Sequence, residues 1–576
     1  MNTLLLVFAT LSCVSALDIN VANTRGNATS RYQYGIMFED INHSGDGGIY
    51  AGLIRNRAFQ GSSVRPPTIS PWTSLGVAAL SLKNLPLPLS SALPTSLNVA
   101  SSNGTIGISN PGYWGIDASK DKYAGSFWVK GDYTGIFEVQ LWNYLSNTTV
   151  GSAQVESNAT NTEWKEHAFE LVPDNAPGNV NNTFALTLED YAEISCKKVN
   201  GSLDLHLISL FPPTYNDRPN GMRIDLMEIL KDLRSSFLRF PGLIEYLHWC
   251  DDLDMEPALA VWAGFYLSGP VLTPEALQPY INDALAELEF ITGPVSSPQG
   301  ALRASLGYPN PWAIRYVEVG NEDNLGGGGS SYETYRFQLF KDAINKKYPE
   351  IAVFASTSDY DFLEQAQYTR PDYFVGQFGF FDDWTPGFRT MIGTLQGGGA
   401  DWKAARLAFP YWIGTAAEAV FLIGAERNAD KIWGAAYWAP DLISFSADIS
   451  VDVLSTSYHA IQLLSTHRIS TTLPIASPAF GPAYYVAGYS NETGSYLLKT
   501  AVYNSTEPVS MSVMFEGVGE GAEGTLTVLT ASGVTAYNNV GVDVVRKGVV
   551  DVVAGSEGLF VFELPDLSVS VLEIKA

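Results

Sequence analysis

The sequence predicts an α/β protein in which a barrel carries two β-sandwiches. Between residues 220 and 466, apolar strands alternate with amphipathic helices across short loops, a pattern typical of a parallel sheet covered by helices. Residues 66–213 and 468–576 instead contain short alternating segments and turns, as β-sandwiches do. The number of units favours a closed (β/α)8 TIM barrel with one sandwich inserted near the amino terminus and one at the carboxyl terminus.

The barrel elements follow one another along the chain. A first strand over 34–39 and a helix over 48–57 precede the first sandwich, so this sandwich interrupts the barrel after its first unit. The later predicted strands are 236–240, 257–262, 314–319, 352–356 and 432–437. The later predicted helices are 223–233, 243–253, 274–291, 332–347 and 410–427.

The amino terminus has the pattern of an export signal. Residues 4–11 are apolar and residues 14–16 are small, which predicts a signal peptide over 1–16 and a secreted, extracellular protein. Nine Asn-X-Ser/Thr sequons favour a glycosylated surface. The predicted segments are the signal, 17–65 with the first barrel unit and one strand of the last sandwich, 66–213 as a carbohydrate-binding-like sandwich, 214–467 as the catalytic barrel, and 468–576.

Composition excludes several functions. A net charge of −26 provides no basic patch for nucleic acid, and no later apolar run is long enough for a membrane span. No His lies between His248 and His459, which excludes a Ser-His-Asp triad or a His-based metal site in the middle of the barrel. No nucleotide-binding fingerprint is present, so no cofactor is expected. Cys196 and Cys250 are expected to be buried thiols; a single bridge between them is the less favoured alternative, because they fall in different predicted domains.

Glu322 is the main candidate for a reacting group. It follows the apolar strand Tyr-Val-Glu-Val and a Gly-Asn turn, which places its carboxyl at the end of a strand, where barrel enzymes carry their chemistry. A general acid needs a positioned, partly desolvated carboxyl there. The neighbouring Asn321 can donate a hydrogen bond to a sugar hydroxyl.

Glu39 is a second candidate, because it follows the first predicted strand and belongs to a loop rich in carboxylates. It can accept a hydrogen bond from a sugar hydroxyl. On composition alone, a solvated turn that caps the next helix is an equally good interpretation.

Several motifs together resemble fungal α-L-arabinofuranosidases of glycoside hydrolase family 51. The resemblance is carried by residues 34–61, 237–242, 245–262, 316–323 and 409–430. It implies a (β/α)8 barrel with β-sandwiches and a retaining enzyme that removes terminal arabinofuranosyl groups from arabinoxylan, arabinan or their oligosaccharides. Glu322 matches the acid/base of the family, and Asn321 and Glu39 match its sugar-binding positions.

The chain departs from the family pattern at the nucleophile. In the family, Glu-Tyr follows a Val/Ile-Gly pair; here Thr394 follows Ile392-Gly393. A sugar-binding Asn after Pro241-Gly242 is also absent, and Gly52 stands where many relatives have Glu. A retaining glycosidase needs two carboxyl groups roughly 5–5.5 Å apart, so we expect weak activity or none. The missing segments have intact flanks, which suggests deletions.

Two other functions remain open. A non-catalytic carbohydrate-binding protein can use Trp128 and Trp142 of the first sandwich, although core filling is the favoured interpretation of both side chains. An inverting hydrolase can pair Glu322 with a distant Asp if the two carboxyl groups lie roughly 6.5–9.5 Å apart.

Overall fold

The structure of the protein is a computed structural model. It describes residues 16–575 except 42, 63–64, 102–105, 121, 189–200, 241–242, 267–268, 358–361, 387–388 and 398–409. Two compact units divide the chain: one holds residues 1–38, 231–443 and 453–576, and the other holds 39–230 and 444–452. None of the helices in the described ranges has the length and apolar character needed to cross a membrane.

Eight parallel strands form a closed barrel in the first unit. In chain order they are β1 Tyr34–Met37, β2 Phe237–Phe240, β3 Glu256–Val261, β4 Tyr316–Val319, β5 Ala352–Ala355, β6 Phe362–Thr369, β7 Arg389–Gly397 and β8 Ile432–Trp438. The barrel is closed by β1, in which Ile36 pairs with Leu238 of β2 and with Tyr437 of β8. The predicted α/β class is therefore confirmed.

The helices are less regular than the strands. They are α1 Ile224–Asp232, α2 Ile244–Asp252, α3 Pro274–Thr292, α4 Pro298–Ser305, α5 Phe337–Lys347, α6 Pro371–Gly376, α7 Trp412–Arg427 and α8 Thr456–Thr466. A short helical segment Gly329–Ser331 and a π-helical turn Tyr332–Arg336 lead into α5. Between β5 and β6 the described residues contain no helix.

The predicted helix over 48–57 is wrong. The backbone N–H groups of Ala51 and Leu53 donate to the carbonyl oxygens of Gly221 and Leu210 at 3.0 and 2.9 Å. These groups are therefore engaged with a distant segment of the same unit, and they cannot form the i to i−4 hydrogen bonds of a helix.

Aromatic side chains fill the amino-terminal end of the barrel. Tyr316 stacks on Phe354 with ring centroids 5.6 Å apart, and Tyr32 stacks on Trp433 at 4.7 Å. These rings belong to one buried cluster with Met37, Phe237, Ala258, Met391 and Ala436. The interior is thus a packed core, and the carboxyl ends of the strands are left for polar groups.

Two five-stranded antiparallel sheets make up most of the second unit and share one hydrophobic core. One sheet contains Ala79–Asn84, Thr95–Ser101, Tyr123–Lys130, Lys165–Leu171 and Gly201–Phe211. The other contains Thr73–Gly76, Ile106–Asn110, Ile136–Asn143, Thr148–Glu156 and Asn182–Leu188.

Trp128 and Trp142 do not fill this core, so the favoured interpretation of these side chains is wrong. Trp128 alternates with the buried Phe127 and Val129, and Trp142 follows the buried Leu141. Successive side chains of a strand point to opposite faces. Both indoles are therefore half-buried on outer faces, each on a different sheet.

The carboxyl-terminal part of the first unit is a sheet domain, as predicted. Six strands form one sheet: Thr471–Thr472, Ala483–Ser490, Ser495–Val502, Glu523–Ala531, Val545–Val553 and Val569–Lys575. The strands Leu17–Val21, Ile475–Ala476, Val509–Phe515 and Leu559–Leu564 form a second sheet. The two sheets enclose one core.

The two cysteines of the predicted mature chain have different outcomes. Cys250 lies in α2 as a buried free thiol, as expected, and burial raises its pKa well above the usual value. Cys196 lies outside the described residues.

Candidate active site

A buried ion pair spans the barrel interior between β2 and β4. The Arg239 Nε and Nη2 atoms donate to the two carboxylate oxygens of Glu318 at 2.5 and 2.9 Å. Both side chains are at most 1% exposed. Such a two-point contact fixes the guanidinium plane, because it fits the planar fork of Arg to both oxygens.

Arg239 also fixes Asn321. The same Nη2 atom donates to the Asn321 Oδ1 atom at 2.7 Å, and Nη1 contacts the Met37 sulfur at 3.0 Å. The carbonyl side of the Asn321 amide is thereby occupied, whereas the described residues provide no hydrogen-bond partner for its two N–H donors. Because Asn321 is exposed, these donors are accessible from solvent.

The turn after β4 has an unusual backbone that sets the position of Glu322. Gly320 has a φ of +96°, and a Cβ atom there would lie 1.8 Å from the Asp323 Oδ2 atom, so only glycine fits. Glu322 itself has a φ of +52°, which is uncommon for a residue other than glycine. Strain of this kind persists only where the surroundings enforce it, often at functional sites. Glu322 is half-buried.

Asp323 holds the turn in this conformation. It pairs with the buried Arg336, and its Oδ2 atom accepts hydrogen bonds from the Asn321 N–H at 2.9 Å and the Ser356 hydroxyl at 3.0 Å. Burial raises the pKa of Asp323, and Arg336 opposes that rise. The carboxyl therefore connects the turn to the end of β5 and to the segment before α5.

Glu39 lies two residues after β1 and belongs to the second compact unit. Its backbone oxygen accepts hydrogen bonds from the Ser44 hydroxyl at 2.8 Å and the Ile41 N–H at 2.9 Å. Both bonds engage the backbone of Glu39, whose side chain is half-buried. Asn321 and Glu322 thus lie on one turn of the first unit, whereas Glu39 lies in the second unit.

Thr394, at the position expected for the nucleophile, lies in β7. In the ladder between β6 and β7, Gln365 pairs with Ile392 and Ala366 pairs with Thr394, so Gly393 is an extra residue. Bulges of this kind occur near active sites, where they redirect the chain. No carboxyl group belongs to residue 394, whatever its orientation.

Two acidic residues on either side of Thr394 in the sequence, Asp382 and Glu418, have hydrogen-bond partners of their own. Asp382 accepts hydrogen bonds from Arg427 at 2.5 Å and Asn428 at 2.9 Å. Glu418 of α7 is buried and accepts from Tyr437 at 3.1 Å and from Ser457 at 2.6 Å. Each of these carboxylates is therefore engaged with its own surroundings.

Two indoles lie at carboxyl ends of barrel strands. Trp262 follows β3, is 42% exposed and donates to the Phe265 carbonyl at 2.7 Å. Trp438 ends β8, and its buried Nε1–H has no hydrogen-bond partner within the described part of the chain. A buried donor without a partner is costly and is therefore available to a ligand.

Sequence reasoning found Glu322 and Asn321 but missed Arg239, Glu318, Asp323 and Arg336. Arg239 and Glu318 carried a signal in the sequence, because each is a charged residue between apolar neighbours in a short strand. A charge is rarely buried unless it is paired. Two such residues on strands of one barrel that are separated by a single strand can be matched with each other.

Two family models match the chain. The Alpha-L-arabinofuranosidase 1 domain matches residues 239–386, and the Alpha-L-arabinofuranosidase C-terminal domain matches residues 407–568. The first range contains the ion pair and the turn described above.

Full-length relatives carry the same description. The chain is 36% identical to "Probable alpha-L-arabinofuranosidase A" of Aspergillus terreus over 643 residues, covering 99% of this chain and 98% of that protein. It is 36% identical to "Alpha-L-arabinofuranosidase A" of Aspergillus kawachii over 651 residues, covering 99% of this chain and 100% of the relative.

Solved structures agree with the sequence comparison. An arabinose-bound MgGH51 α-L-arabinofuranosidase superimposes with a TM-score of 0.86 at 29% identity, covering 97% of this chain and all of that chain. The α-L-arabinofuranosidase of Thermotoga maritima, solved as an arabinose complex, shares the fold with a TM-score of 0.52 at 15% identity, covering 62% of this chain and 90% of that chain.

Proposed function

The chain belongs to the α-L-arabinofuranosidases of glycoside hydrolase family 51, and from this premise we infer its reaction. The reaction is hydrolysis of terminal non-reducing α-L-arabinofuranosyl residues with release of L-arabinose. The substrates are arabinose-containing glycans, and we propose arabinoxylan and arabinan types. We propose further that the protein is secreted and glycosylated, and that its fold is the TIM barrel with an inserted sandwich.

We assign the acid/base role to Glu322. Its half-buried carboxyl follows β4 on a strained turn, which suits a group that must both hold and release a proton beside the leaving oxygen. Asn321, oriented by Arg239, donates to a hydroxyl of the arabinofuranosyl ring. Glu39 accepts from another hydroxyl.

We propose that this chain turns over its substrate weakly or not at all. The observation that carries this proposal is Thr394 in the place of the nucleophilic Glu. An alcohol without an adjacent base is a poor nucleophile, and the retaining mechanism needs a second carboxyl roughly 5–5.5 Å from the first. The alignment with the A. terreus relative extends over 643 residues, whereas this chain has 576 residues. This difference supports missing segments in this chain.

Release of nitrophenol from nitrophenyl α-L-arabinofuranoside tests the proposal. We expect a slow rate that rises on addition of azide, because a small anion can attack the anomeric carbon where the carboxylate is missing. The product would then be the glycosyl azide of inverted configuration, identified by NMR. Azide-independent turnover as fast as that of the Aspergillus relatives would refute the weak-activity proposal.

A second candidate function is glycan binding without catalysis. Trp128 and Trp142 favour it, because both lie half-buried on outer faces of the two sheets instead of in their core. Affinity electrophoresis in gels containing arabinoxylan tests it, and migration that the polysaccharide does not slow would dismiss it.

A further inference from the structure

The second compact unit contains a cavity of about 440 Å³. Five stretches of the chain line it, all within residues 39–230 and 444–452. Neither Asn321 nor Glu322 is among the lining residues. Cavities of this size hold small molecules or one to two sugar rings.

Trp114 forms the aromatic wall of the cavity. It is 41% exposed although Phe445 packs edge-to-face against it at 5.6 Å and Tyr113 lies 6.0 Å away. The indole is therefore held in place by its neighbours while much of its surface faces the solvent. An aromatic ring in this state can stack on the C–H face of a sugar.

The turn that carries Trp114 depends on two glycines. Gly112 and Gly115 pair with each other and have φ values of +71° and +97°. A Cβ atom on Gly115 would lie 2.1 Å from the Val180 carbonyl oxygen. This turn needs glycine at both positions, because a side chain at either would meet an unfavourable backbone conformation and a close backbone oxygen.

The charges around the cavity are already paired. The Arg223 guanidinium contacts the carboxylates of Asp225 and Asp452 and donates to the Ser446 carbonyl at 2.8 Å. Lys120 lies 3.5 Å from the Asp117 carboxylate. No cation among these residues is left to attract an anion, so phosphate or carboxylate ligands are disfavoured. Ligand hydroxyl groups can donate to these carboxylates or to the Ser119 oxygen, whose own proton goes to Asp117, and can accept from Lys120.

Gly52 widens the cavity. It is one of the lining residues and its position carries no side chain, whereas a Cβ atom there would lie 2.9 Å from the Tyr50 ring. A larger residue would therefore press against the rings of Tyr50 and Phe211. The neighbouring apolar lining comes from Pro212, Pro213 and Ile224.

We propose that this cavity binds one or two units of the unbranched main chain of a neutral pentose polysaccharide, with Trp114 as the stacking platform. A pentose ring combines an apolar C–H face with hydroxyls on its edge, which matches one aromatic wall and a paired polar rim. The site needs no turnover, so it goes beyond the hydrolytic function. It would hold the protein on a polymer whose side groups the barrel acts on.

Affinity electrophoresis of the full chain in gels containing linear β-1,4-xylan tests this site, since that polymer carries no arabinofuranosyl groups. We expect retardation of the wild type and a dissociation constant at least about tenfold weaker for Trp114→Ala. Trp114→Phe should retain part of the binding. Thermal unfolding of each variant establishes that it is folded.

Tyr144→Ala is the matched control, because Tyr144 is a 50% exposed aromatic residue of the same unit and does not line the cavity. It should migrate as the wild type does, and so should Glu322→Gln. Migration of the wild type that xylan does not slow, or retardation that Trp114→Ala retains, would overturn the proposal. Loss of retardation in Trp128→Ala or Trp142→Ala but not in Trp114→Ala would assign binding to the sheet faces instead. Nitrophenol release is scored separately, so weak catalysis and absent xylan binding remain distinguishable.

Discussion

Lys499 and Glu426 form an ion pair, 2.8 Å between Nζ and Oε2, in which both side chains are at most 1% exposed. Lys499 lies on strand Ser495–Val502 of the carboxyl-terminal sheet, and Glu426 lies near the end of α7. The Tyr34 hydroxyl donates to the same carboxylate at 2.7 Å. The Glu426 carboxylate therefore links barrel strand β1, helix α7 and the carboxyl-terminal sheet.

Lys499→Met should destabilise the protein by about 3–5 kcal/mol, because it leaves the Glu426 charge buried and unpaired. Urea unfolding measures the change. The double variant Lys499→Met with Glu426→Leu should recover much of the loss, since a buried apolar pair replaces a buried ionic one. An equal loss in the double variant would contradict the electrostatic explanation.

Thr394→Glu should raise nitrophenyl arabinofuranoside turnover at least about 100-fold, since it restores a second carboxyl group. The gain should be accompanied by retention of the anomeric configuration, followed by NMR. Thr394→Gln is the isosteric control and should not gain activity. An unchanged rate for Thr394→Glu in a folded protein would show that the missing flanking segments are also required.

Glu322→Gln, made in the Thr394→Glu chain, should reduce hydrolysis of arabino-oligosaccharides by roughly 10²–10⁴-fold, the usual contribution of general acid catalysis. The loss should be smaller for the nitrophenyl substrate, whose leaving group departs without a proton. Comparing the two substrates therefore identifies the role of the carboxyl. An equal loss on both would instead indicate a binding or structural role.

Stability should depend on pH through Asp452. Burial raises its pKa to about 7, with Arg223 opposing and Asp225 reinforcing the shift. The folded state thus keeps a proton that the unfolded chain releases near pH 4, so this group makes the protein less stable as pH rises from about 4 to about 7. The effect is at most about 1.4 kcal/mol per pH unit.

Asp452→Asn should remove that slope, measured as the difference in melting temperature between pH 5 and pH 7.5. Asp448→Asn is the control from the same segment. Its pKa is lowered by hydrogen bonds from Ser450, so it is ionised at both pH values and should leave the slope unchanged. A slope that survives in Asp452→Asn would assign it to other groups.

The carboxyl at residue 322 was predictable because an apolar strand that ends in Gly-Asn-Glu is a local pattern. The partner of Asn321 was not, because Arg239 lies 82 residues earlier and meets it only when β2 and β4 belong to one closed barrel. The proximity of Arg239 and Asn321 therefore follows from closure of the barrel and cannot be read from the local sequence.

Strands β6 and β7 were also missed by sequence reasoning. Phe362–Thr369 contains one Glu and two Gln, at positions 364, 365 and 367, and Arg389–Gly397 contains two glycines. Local propensity disfavours both as strands. Pairing with each other and with β8 determines their conformation, so tertiary context overrides the local preference.

The closing strand of the barrel has a consequence for how the chain folds. Residues 34–37 of β1 pair with β2, which begins at residue 237, so roughly two hundred residues separate two adjacent strands. Bringing such distant partners together costs loop entropy and slows folding. The inserted sheets shorten that search, because Ala51 and Leu53 are joined to Gly221 and Leu210 once they form. Assembly of the inserted sheets before the barrel therefore gives the faster route. A nascent chain that ends between residues 221 and 237 would already contain every strand of the two inserted sheets and only β1 of the barrel.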